Sequence, residues 1–313
     1  MSVVSPNGPP ETGKSATVAL VGRPNAGKST LLNRCLAEKL AIVSDKPQTT
    51  RHRIVGILSE DRGQLVFYDT PGVHRPQHRM NRVMVRYALD SLREADIVCL
   101  LADASQSFGT GDRYMLDLMT QVKGKKILAL NKVDLVAKPK LLPRMAIYGE
   151  TEQFEHIVPI SALSGEGVDT LLVLLWEAAG PGAPIYDPDL LTIHPERFLV
   201  AERIREKVLS ATRDELPFST TVLIEHWQEP EEAAAGGSKA VKIYASILVE
   251  RPGQKKILVG RGGQMIKGIG TEARLDLQEF LERPVYLELH VRHEPGWREN
   301  PRLLADLDRS LGR

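Results

Sequence analysis

The sequence has little cysteine, almost no net charge and no long apolar run, although it extends over 313 residues. Two cysteines, Cys35 and Cys99, are too few for a disulfide framework or a structural zinc site, which favours a reducing compartment. No apolar run approaches the ~20 residues of a membrane-spanning helix, and the first residues lack the basic and apolar regions of a signal peptide. We therefore expect a cytoplasmic protein.

Basic and acidic residues are nearly balanced, with 41 Lys and Arg against 40 Asp and Glu. The overall charge therefore indicates neither a nucleic-acid nor a membrane partner, and any such prediction must rest on local clusters. Hydrophobic residues make up 42% of the chain and charged residues 26%, as in ordinary globular proteins. The length is about twice that of a typical domain, which predicts two domains.

The first half alternates short runs rich in Val, Ile and Leu with amphipathic stretches, a pattern typical of α/β proteins. The runs are continuously apolar, so helices should cover both faces of a doubly wound, mostly parallel sheet. Strands are predicted at residues 17–22, 64–69, 96–103, 126–131 and 156–161. Helices are predicted at residues 28–38, 80–91, 112–121 and 168–179.

Glycine and proline crowd into residues 180–195, which indicates a linker of restricted flexibility. Beyond it we predict an α+β domain with a helix at 197–210, strands at 219–226, 242–250 and 284–292, and a glycine-rich helical region at 260–281. The predicted organisation is a disordered leader at 1–15, a first domain at 16–180, a linker at 181–196 and a second domain at 197–313.

Residues 22–29 match the phosphate-binding pattern GxxxxGK[ST] and stand between a predicted strand and a predicted helix. The glycines allow backbone N–H groups to wrap phosphate oxygens, while Lys28 can reach the β- and γ-phosphates and Ser29 can ligate Mg²⁺. The nucleotide-binding residues predicted in this loop are Gly22, Arg23, Pro24, Asn25, Ala26, Gly27, Lys28 and Ser29. Residues 8–15 match the same pattern, but a predicted strand follows them instead of a helix, so we assign them to the leader.

Three further motifs follow the ends of predicted strands, where open α/β sheets bind their ligands. Asp69 can hold Mg²⁺, and the amide of Gly72 can meet the γ-phosphate. Asp134 can accept hydrogen bonds from guanine N1–H and the 2-amino group, which adenine lacks, and the amide of Ala162 can meet guanine O6. The residues of these motifs are Asp69, Thr70, Pro71, Gly72 and Val73, then Asn131, Lys132, Val133 and Asp134, then Ser161, Ala162 and Leu163. Together the four motifs predict a GTP site.

The loop at residues 46–53 contains two candidate metal ligands, Thr49 and Thr50. A threonine in this loop must complete the Mg²⁺ shell if the loop senses the γ-phosphate. We favour Thr50 over Thr49. The predicted metal ligands are therefore Ser29, Thr50 and Asp69. The residues predicted to act in hydrolysis are Lys28, Thr50, Asp69 and Gly72.

Two positions bear on the rate of hydrolysis. Val73 stands where Ras-type enzymes have a water-orienting glutamine, so we expect GTP to be converted slowly to GDP and phosphate. Asn25 could ligate a K⁺ ion that supplies positive charge near the phosphates, or it could only cap the phosphate loop. Both interpretations stay open.

The second half contains a GxxG loop at residues 260–263, between an apolar segment and a predicted helix. From residue 251 to residue 271 the chain carries five basic residues and no acidic one. The order helix, strand, strand, GxxG, helix, strand is that of a bacterial-type KH domain, whose loop grips the backbone of about four nucleotides of RNA. The residues predicted to bind RNA are Lys255, Lys256, Gly260, Arg261, Gly262, Gly263 and Lys267. The alternative is a glycine turn on a solvated basic face, and Trp297 could either stack a base or close the core.

Taken in order, the stretches GRPNAGKSTLLN, PQTTRHRIVGI, DTPGVH, NKVD and SAL resemble the TRAFAC class of GTPases, and within it the Era family of bacterial ribosome-biogenesis GTPases. The resemblance covers about residues 16–300 and implies a Ras-like P-loop GTPase domain followed by a type II KH domain. It implies that GTP and GDP bind with Mg²⁺. It also implies switch loops at about 42–56 and 73–85 whose state governs RNA engagement.

The same resemblance implies the partner and the place of action. The RNA would be the 3′ end of 16S ribosomal RNA, and the role would be in maturation of the small (30S) ribosomal subunit. Peripheral association with the inner membrane is implied more weakly. We expect a monomer and no DNA partner.

Three other protein classes share part of this pattern. A tRNA-modifying or membrane-recruited GTPase should lack the GxxG module and usually carries a catalytic cysteine there, whereas both cysteines of this chain lie in the first half. An RNA-binding module with an inactive nucleotide site is disfavoured because the residues it would lack are all present, namely Lys28, Ser29, Asp69 and Asp134. A metabolic P-loop ATPase is disfavoured by the NKVD motif.

The substitution Asp134→Asn tests the base-recognition motif. It should lower GTP affinity on the order of 10²-fold or more and shift preference toward XTP, because the amide presents a donor where guanine also donates. Competition of GTP and XTP against a labelled nucleotide measures the change. Asp61→Asn, which lies in no motif, is the control. An intact GTP preference in Asp134→Asn would contradict the assignment.

Overall fold

The structure, a computed structural model, describes residues 13–72, 79–213, 216–230 and 240–309, and these form two compact units. The first unit comprises residues 13–41, 50–72 and 84–193. The second comprises residues 42–49 and 79–83 together with the described residues from 194 onward. Most of the predicted leader lies outside the described residues. Its last two residues, Lys14 and Ser15, belong to the first strand, so the prediction of disorder was wrong for them.

The first unit is built on a seven-stranded sheet with the order β2-β3-β1-β4-β5-β6, and β7 pairs with β1. All pairings are parallel except β2 with β3 and β7 with β1. The doubly wound, mostly parallel sheet predicted from the sequence is therefore confirmed. The strands are β1 (Lys14–Gly22), β2 (Ile54–Glu60), β3 (Gly63–Asp69), β4 (Ile97–Asp103), β5 (Lys125–Asn131), β6 (His156–Pro159) and β7 (Gly180–Pro181).

Helices follow the parallel strands and cover the sheet, whose central strands are buried along most of their length. Because β1, β3, β5 and β6 run parallel, their carboxyl ends lie at one edge of the sheet, where ligands of such folds bind. The helices are α1 (Lys28–Leu36), α2 (Arg79–Glu94), α3 (Thr110–Met119), α4 (Leu141–Gly149) and α5 (Val168–Ala178).

Strand β2 and helix α4 are absent from the sequence-based prediction. Gly56 interrupts the apolar run of β2, and only residues 54–56 of the strand overlap the predicted switch loop. The structure gives the reason for the glycine: a Cβ there would lie 2.7 Å from Leu36 Cδ1 and 2.8 Å from Leu32 Cδ1. Helix α4 contains Pro143, which indicates a loop in a sequence but is tolerated in a first turn.

The predicted linker is hydrogen-bonded to β2, the outermost strand of this sheet, and to the neighbouring strand β3. The Gln64 side chain accepts hydrogen bonds from the backbone N–H groups of Ile185 (2.8 Å) and Tyr186 (2.9 Å). The N–H of Ile57 donates to the carbonyl of Leu191 at 2.8 Å. The bond from Ile57 pairs a backbone group that the edge strand β2 would otherwise leave open.

The second unit has a three-stranded sheet with the order β10-β9-β8, in which β9 pairs in parallel with β10 and antiparallel with β8. The strands are β8 (Thr220–Gln228), β9 (Val241–Val249) and β10 (Val285–His293). The helices are α6 (Glu196–Ala211), α7 (Leu216–Ser219), α8 (Pro252–Val259), α9 (Gln264–Phe280) and α10 (Pro301–Arg309). The segment before the GxxG loop is thus a helix, which the sequence analysis identified only as apolar. Among the described residues of both units, no helix combines the length and apolar character needed to cross a bilayer.

Trp297 closes the core of the second unit. Its side chain is 0% exposed, and its Nε1–H donates to the carbonyl of Ser219 at 3.0 Å. A buried indole needs such an acceptor, because an unpaired donor costs free energy. Of the two roles considered for this residue, base stacking is therefore wrong.

The substitution Trp297→Phe should lower the free energy of unfolding of the second unit by about 1–3 kcal/mol, because it opens a gap and removes the hydrogen bond to the Ser219 carbonyl. Trp227→Phe is the matched control, because the Trp227 indole donates to the exposed carboxylate of Glu229. Loss of this exposed hydrogen bond should lower the free energy of unfolding by about 1 kcal/mol or less. Hydrogen exchange of the β9 amides in urea measures both. Equal losses in the two variants would contradict this role of Trp297.

Candidate functional site

The loop between β1 and α1 forms a tight cradle at the sheet edge. Gly27 adopts a left-handed conformation (φ +99°), and a Cβ there would lie 2.2 Å from Asn131 Nδ2, so only glycine fits. Lys28 is 5% exposed, and its Nζ donates to the carbonyls of Gly22 (3.3 Å) and Arg23 (3.0 Å). The ammonium group therefore lies inside the curve of the loop.

Three side-chain oxygens from separate parts of the first unit meet beside this loop. Ser29 Oγ donates to Asp69 Oδ2 at 2.6 Å, and Thr50 Oγ1 donates to the same atom at 3.3 Å. The two hydroxyls are 2.9 Å apart. The Thr49 hydroxyl instead donates to the carbonyl of Lys46 at 2.6 Å. Of the two candidate threonines, only Thr50 thus joins this oxygen cluster, which we define as Ser29, Thr50 and Asp69.

The electrostatics of the cluster are set by burial. Burial raises the pKa of Asp69 to about 6, although the charge of Lys28 and the hydrogen bonds from Ser29 and Thr50 act in the opposite direction. Burial likewise lowers the pKa of Lys28 to about 8, against the attraction of Asp69. The second carboxylate oxygen, Asp69 Oδ1, is buried and has no hydrogen-bond partner among the described residues. Hard oxygen ligands with a spare lone pair are what Mg²⁺ prefers.

The residues after Asp69 pass close to the phosphate loop. The buried Thr70 hydroxyl donates to the carbonyl of Leu20 at 2.8 Å, and Pro71 and Gly72 are buried as well. A Cβ on Gly72 would lie 2.7 Å from Pro24 Cα, so the DTPG turn approaches the loop closely enough to require glycine. Val73 lies outside the described residues.

The motifs predicted to recognise the base converge on Asn131. Its Nδ2 donates to the carbonyl of Ala26 at 2.7 Å, and its Oδ1 accepts from the amide of Ala162 at 2.9 Å. Lys132 Nζ donates to Asp103 Oδ2 at 2.6 Å. Asp134 is exposed, as a carboxylate that binds a ligand edge must be. Of the remaining motif residues, the structure buries Val133 and Ser161 and exposes Leu163.

Sequence reasoning missed two charged residues that hold these loops. Arg34 on α1 donates to the carbonyls of Ala162 and Leu163. Asp103 pairs with Lys132 and also accepts from Ser105. A pattern of strand ends could have found Asp103, which ends a strand just as Asp69 does. The bonds of Arg34 go to backbone carbonyls, and these leave no signal in a sequence.

Arg23 also has a charged partner. Its Nη1 lies 3.0 Å from Asp112 Oδ2 near the start of α3. A Cβ on Gly111 would lie 2.7 Å from Arg23 Nε. The guanidinium group is therefore held against the amino end of α3.

The GxxG loop of the second unit connects α8 and α9. Gly260, Gly262 and Gly263 all have positive φ (72°, 58° and 79°), and open space surrounds Gly262 and Gly263. The predicted basic residues around the loop are all exposed: Lys255, Lys256, Arg261 and Lys267. The loop therefore presents backbone and positive charge to solvent.

An open groove with a volume of ≈ 320 Å³ lies between α9 and β10. The residues that line its helix side are spaced four apart in the sequence: Ile266, Gly270 and Arg274, and Lys267 and Thr271. This spacing is a sequence signal for the helix side of the groove. Its strand side is lined by Leu287, Glu288 and Leu289. Apolar side chains, two cations and one carboxylate thus share one groove, next to the GxxG loop.

Comparison with known proteins decides the family. A family model described as a 50S ribosome-binding GTPase matches residues 17–132, and a KH-domain model matches residues 224–298. GTPase Era of Geobacter metallireducens is 46% identical over 295 residues, which cover 94% of this chain and 97% of that protein. GTPase Era of Leuconostoc citreum is 45% identical over 298 residues, which cover 95% and 96%. The chain belongs to the Era family of GTPases.

Solved structures agree with this family membership. An Era variant of Aquifex aeolicus bound to GDP.AlF4- matches with a TM-score of 0.89 and 35% identity, over 94% of this chain and 98% of that one. Era in complex with MgGDPNP and nucleotides 1506–1542 of 16S ribosomal RNA matches with the same TM-score, identity and coverage. The predicted Ras-like GTPase fold with a C-terminal KH domain is therefore confirmed, and the chain is a GTPase that converts GTP to GDP and phosphate.

Asp69 is a predicted Mg²⁺ ligand, and its raised pKa predicts that Mg²⁺ binding depends on pH. Below about pH 6 the carboxyl is neutral and is a poor ligand, so the proton and the metal compete. Lowering the pH from 7 to 5 should weaken the Mg²⁺ affinity of the GDP complex about tenfold more in the parent than in Asp69→Asn. Titration calorimetry of both proteins measures this, and the titration of the nucleotide itself cancels in the comparison. Equal pH dependence in the two proteins would contradict the role of Asp69.

Proposed function

We propose that this GTPase is a Mg²⁺-dependent switch that binds the 3′ end of 16S ribosomal RNA and assists maturation of the small ribosomal subunit. In this proposal residues 16–180 act as the GTPase domain and residues 197–313 as the RNA-binding domain. The observation that carries the proposal is the groove between α9 and β10 next to the GxxG loop, because GTP hydrolysis already follows from the family.

The oxygen cluster fits a Mg²⁺ ion. Two hydroxyls and a carboxylate converge within 3.3 Å of one another, and Asp69 Oδ1 lacks a partner among the described residues. We assign Thr50 rather than Thr49 as the switch threonine on this geometry. When bound, Mg²⁺ would neutralise charge that develops on the phosphates.

The chain's own groups supply the rest of the phosphate site. Lys28 lies inside the loop and donates to loop carbonyls, so its donors can turn to the β- and γ-phosphate oxygens. Gly72 approaches the same loop closely, since a Cβ there would lie 2.7 Å from Pro24 Cα, and its amide can donate to the γ-phosphate. The K⁺ ion at Asn25 and the slow rate expected from Val73 remain predictions of the sequence alone.

The base site follows from the same geometry. Asp134 is exposed and can accept from guanine N1–H and the 2-amino group. The amide of Ala162 already donates to Asn131 Oδ1, so it would meet guanine O6 as a shared donor. Arg34 would keep this loop in place through the Ala162 carbonyl.

The chemistry of the groove favours single-stranded RNA. Ile266, Leu287 and Leu289 offer an apolar surface for base faces, while Lys267 and Arg274 can pair with phosphates. The Glu288 carboxylate can accept from an exocyclic amino group of a base. A related Era protein is known in complex with nucleotides 1506–1542 of 16S ribosomal RNA, and this is why we propose that RNA.

The cysteines argue against the tRNA-modifying alternative. Cys35 and Cys99 are both buried, and burial raises the pKa of the Cys35 thiol to about 12 and that of Cys99 further still. Neither is a reactive thiolate near neutral pH. Cytoplasmic location, a monomeric state and peripheral membrane association remain predictions.

Binding of the full chain to an oligonucleotide copying the 3′ end of 16S ribosomal RNA tests the proposal. We expect selective binding over a scrambled oligonucleotide, stronger with a GTP analogue than with GDP. Binding that ignores the nucleotide would contradict the switch, and the absence of binding in all states would contradict the RNA partner.

The substitution Gly262→Asp separates the two activities. It places a side chain and a negative charge at the exposed turn of the GxxG loop, where φ is +58°, and should weaken RNA binding by about tenfold or more. GTP hydrolysis should stay within about twofold, because a side chain at Gly262 enters open space and touches neither the oxygen cluster nor the phosphate loop. Gly253→Asp, where open space also surrounds the glycine, is the matched control for added charge. Equal loss of RNA affinity in both variants would count against a specific role for the loop.

A further inference from the structure

Residues 42–49 cluster with the second unit, although Ala41 and Thr50 on either side of them belong to the first. Within the second unit, the two ends of this segment are hydrogen-bonded to consecutive residues of α6. Arg205 binds the carbonyl of Thr49, and Glu206 binds the amide of Val43. Helix α6 thus holds the segment at both ends.

Arg205 is the more buried of the two, with 1% of its surface exposed. Its Nε donates to Glu202 Oε1 at 2.7 Å, and its Nη2 reaches both Glu202 Oε2 and the Thr49 carbonyl. The ion pair to Glu202 fixes the plane of the guanidinium group. The second N–H of Nη2 therefore points at the Thr49 carbonyl oxygen.

Glu206 is 7% exposed and accepts from the Val43 N–H at 3.0 Å. Its other oxygen lies 3.3 Å from Lys207 Nζ. A buried carboxylate with a cation and an amide as partners is compensated, so this contact can persist.

The Thr49 carbonyl matters because of the peptide bond that follows it. The six atoms from Thr49 Cα to Thr50 Cα are coplanar, so a bond that fixes the Thr49 oxygen also restrains Thr50 Cα. The Thr49 hydroxyl is fixed as well, by the Lys46 carbonyl at 2.6 Å. Thr50 then reaches the oxygen cluster with its own hydroxyl, 2.9 Å from that of Ser29.

We propose that Arg205 and Glu206 are positioning residues for GTP hydrolysis, which hold residues 43–49 so that the Thr50 hydroxyl stays in the oxygen cluster. The inference rests on the proposed function, namely on Thr50 as the switch threonine. Both residues act through the backbone of the segment. The second unit thereby contributes to the reaction without supplying a catalytic residue.

Helix α6 also contains a matched comparison. Arg203 is 8% exposed and pairs with Asp276 at 3.3 Å, so it is a buried guanidinium in an ion pair like Arg205. Asp276 lies on α9, where Phe280 also packs against the Arg203 guanidinium group at 4.1 Å. If Arg205 only stabilised α6, substitution of Arg205 and substitution of Arg203 should change GTP hydrolysis equally.

The test compares Arg205→Gln with Arg203→Gln in the full chain. Arg205→Gln should lower kcat for GTP hydrolysis about tenfold or more, as expected when a reacting geometry is displaced by about 1 Å, and should raise the Mg²⁺ concentration at half-maximal rate. GDP affinity should stay within about twofold, because GDP has no γ-phosphate for the loop to sense. Arg203→Gln should leave all three quantities within about twofold. Equal effects of the two substitutions, or a parent-like rate in Arg205→Gln, would overturn the inference.

Thr50→Ala separates this inference from the proposed function. In the Thr50→Ala background, Arg205→Gln should cost no further activity, because both act through one hydroxyl; additive losses would overturn the inference. If Thr50→Ala alone keeps the parent rate and Mg²⁺ dependence, the assignment of Thr50 itself is wrong. If Thr50→Ala is inactive but Arg205→Gln behaves like the parent, only the positioning role is wrong.

Arg205→Lys covers the case in which the glutamine variant does not fold. Lysine keeps a buried cation beside Glu202 but lacks the fork that reaches two acceptors. Hydrogen exchange at the Val43 amide, read with GTP analogue bound, then reports directly on the segment. Faster exchange at Val43 together with a lower kcat supports the inference, and unchanged exchange with an unchanged rate refutes it.

Discussion

A carboxylate that is wholly buried imposes the strictest condition on the first unit, because an ion in a protein interior must be compensated by charge and hydrogen bonds. Asp69 is 0% exposed, and Lys28 together with the hydroxyls of Ser29 and Thr50 compensates it. These groups come from two loops that are separate in sequence, so the carboxylate determines where the loops meet. Even so, the raised pKa shows that the compensation is incomplete, and Asp69 Oδ1 lacks a partner among the described residues. A divalent cation would remove both deficits, which is why the proposed metal site and the folding constraint coincide.

The other end of the site is organised by neutral groups. Asn131 uses both ends of its amide, one on the carbonyl of Ala26 and one on the amide of Ala162, and so ties the phosphate loop to the last strand. A neutral bridge suits this position, because a charge here would have to be desolvated again each time a base arrives. Charged groups lie at the periphery: the exposed Asp134, the pair of Lys132 and Asp103, and Arg34 on the carbonyls that follow β6. The predicted phosphate site therefore contains buried charges, whereas the predicted base site is organised mainly by neutral hydrogen bonds.

Features formed by residues that are contiguous in the sequence could be predicted from the sequence alone. The phosphate loop and the GxxG loop each combine a motif with a change of periodicity, and the structure has both loops at the predicted places, whereas β6 ends at Pro159, two residues before its predicted end. Strand β2 was missed because Gly56 breaks its pattern for a reason that lies in another element, the close approach of α1. The groove beside α9 needed the pairing of that helix with β10, and the bonds of Arg34 and Arg205 end on backbone carbonyls. Contacts of this kind depend on tertiary structure, since any residue type offers the same acceptor.

Positioning by Arg205 and Glu206 would also limit how strongly nucleotide and RNA affect one another. Hydrogen bonds to charged groups contribute about 1.5–3 kcal/mol each, so the two bonds to residues 43–49 set an upper limit of about 3–6 kcal/mol on any coupling that passes through them. Coupling free energies are reciprocal: whatever factor GTP adds to the RNA affinity, RNA must add to the GTP affinity. The second predicted switch makes a similar contact, since the amide of Arg79 donates to Glu299 at 2.9 Å within the second unit. A bond of ordinary strength at each switch therefore suffices for the tenfold to hundredfold effects typical of such proteins, at about 1.4 kcal/mol per factor of ten.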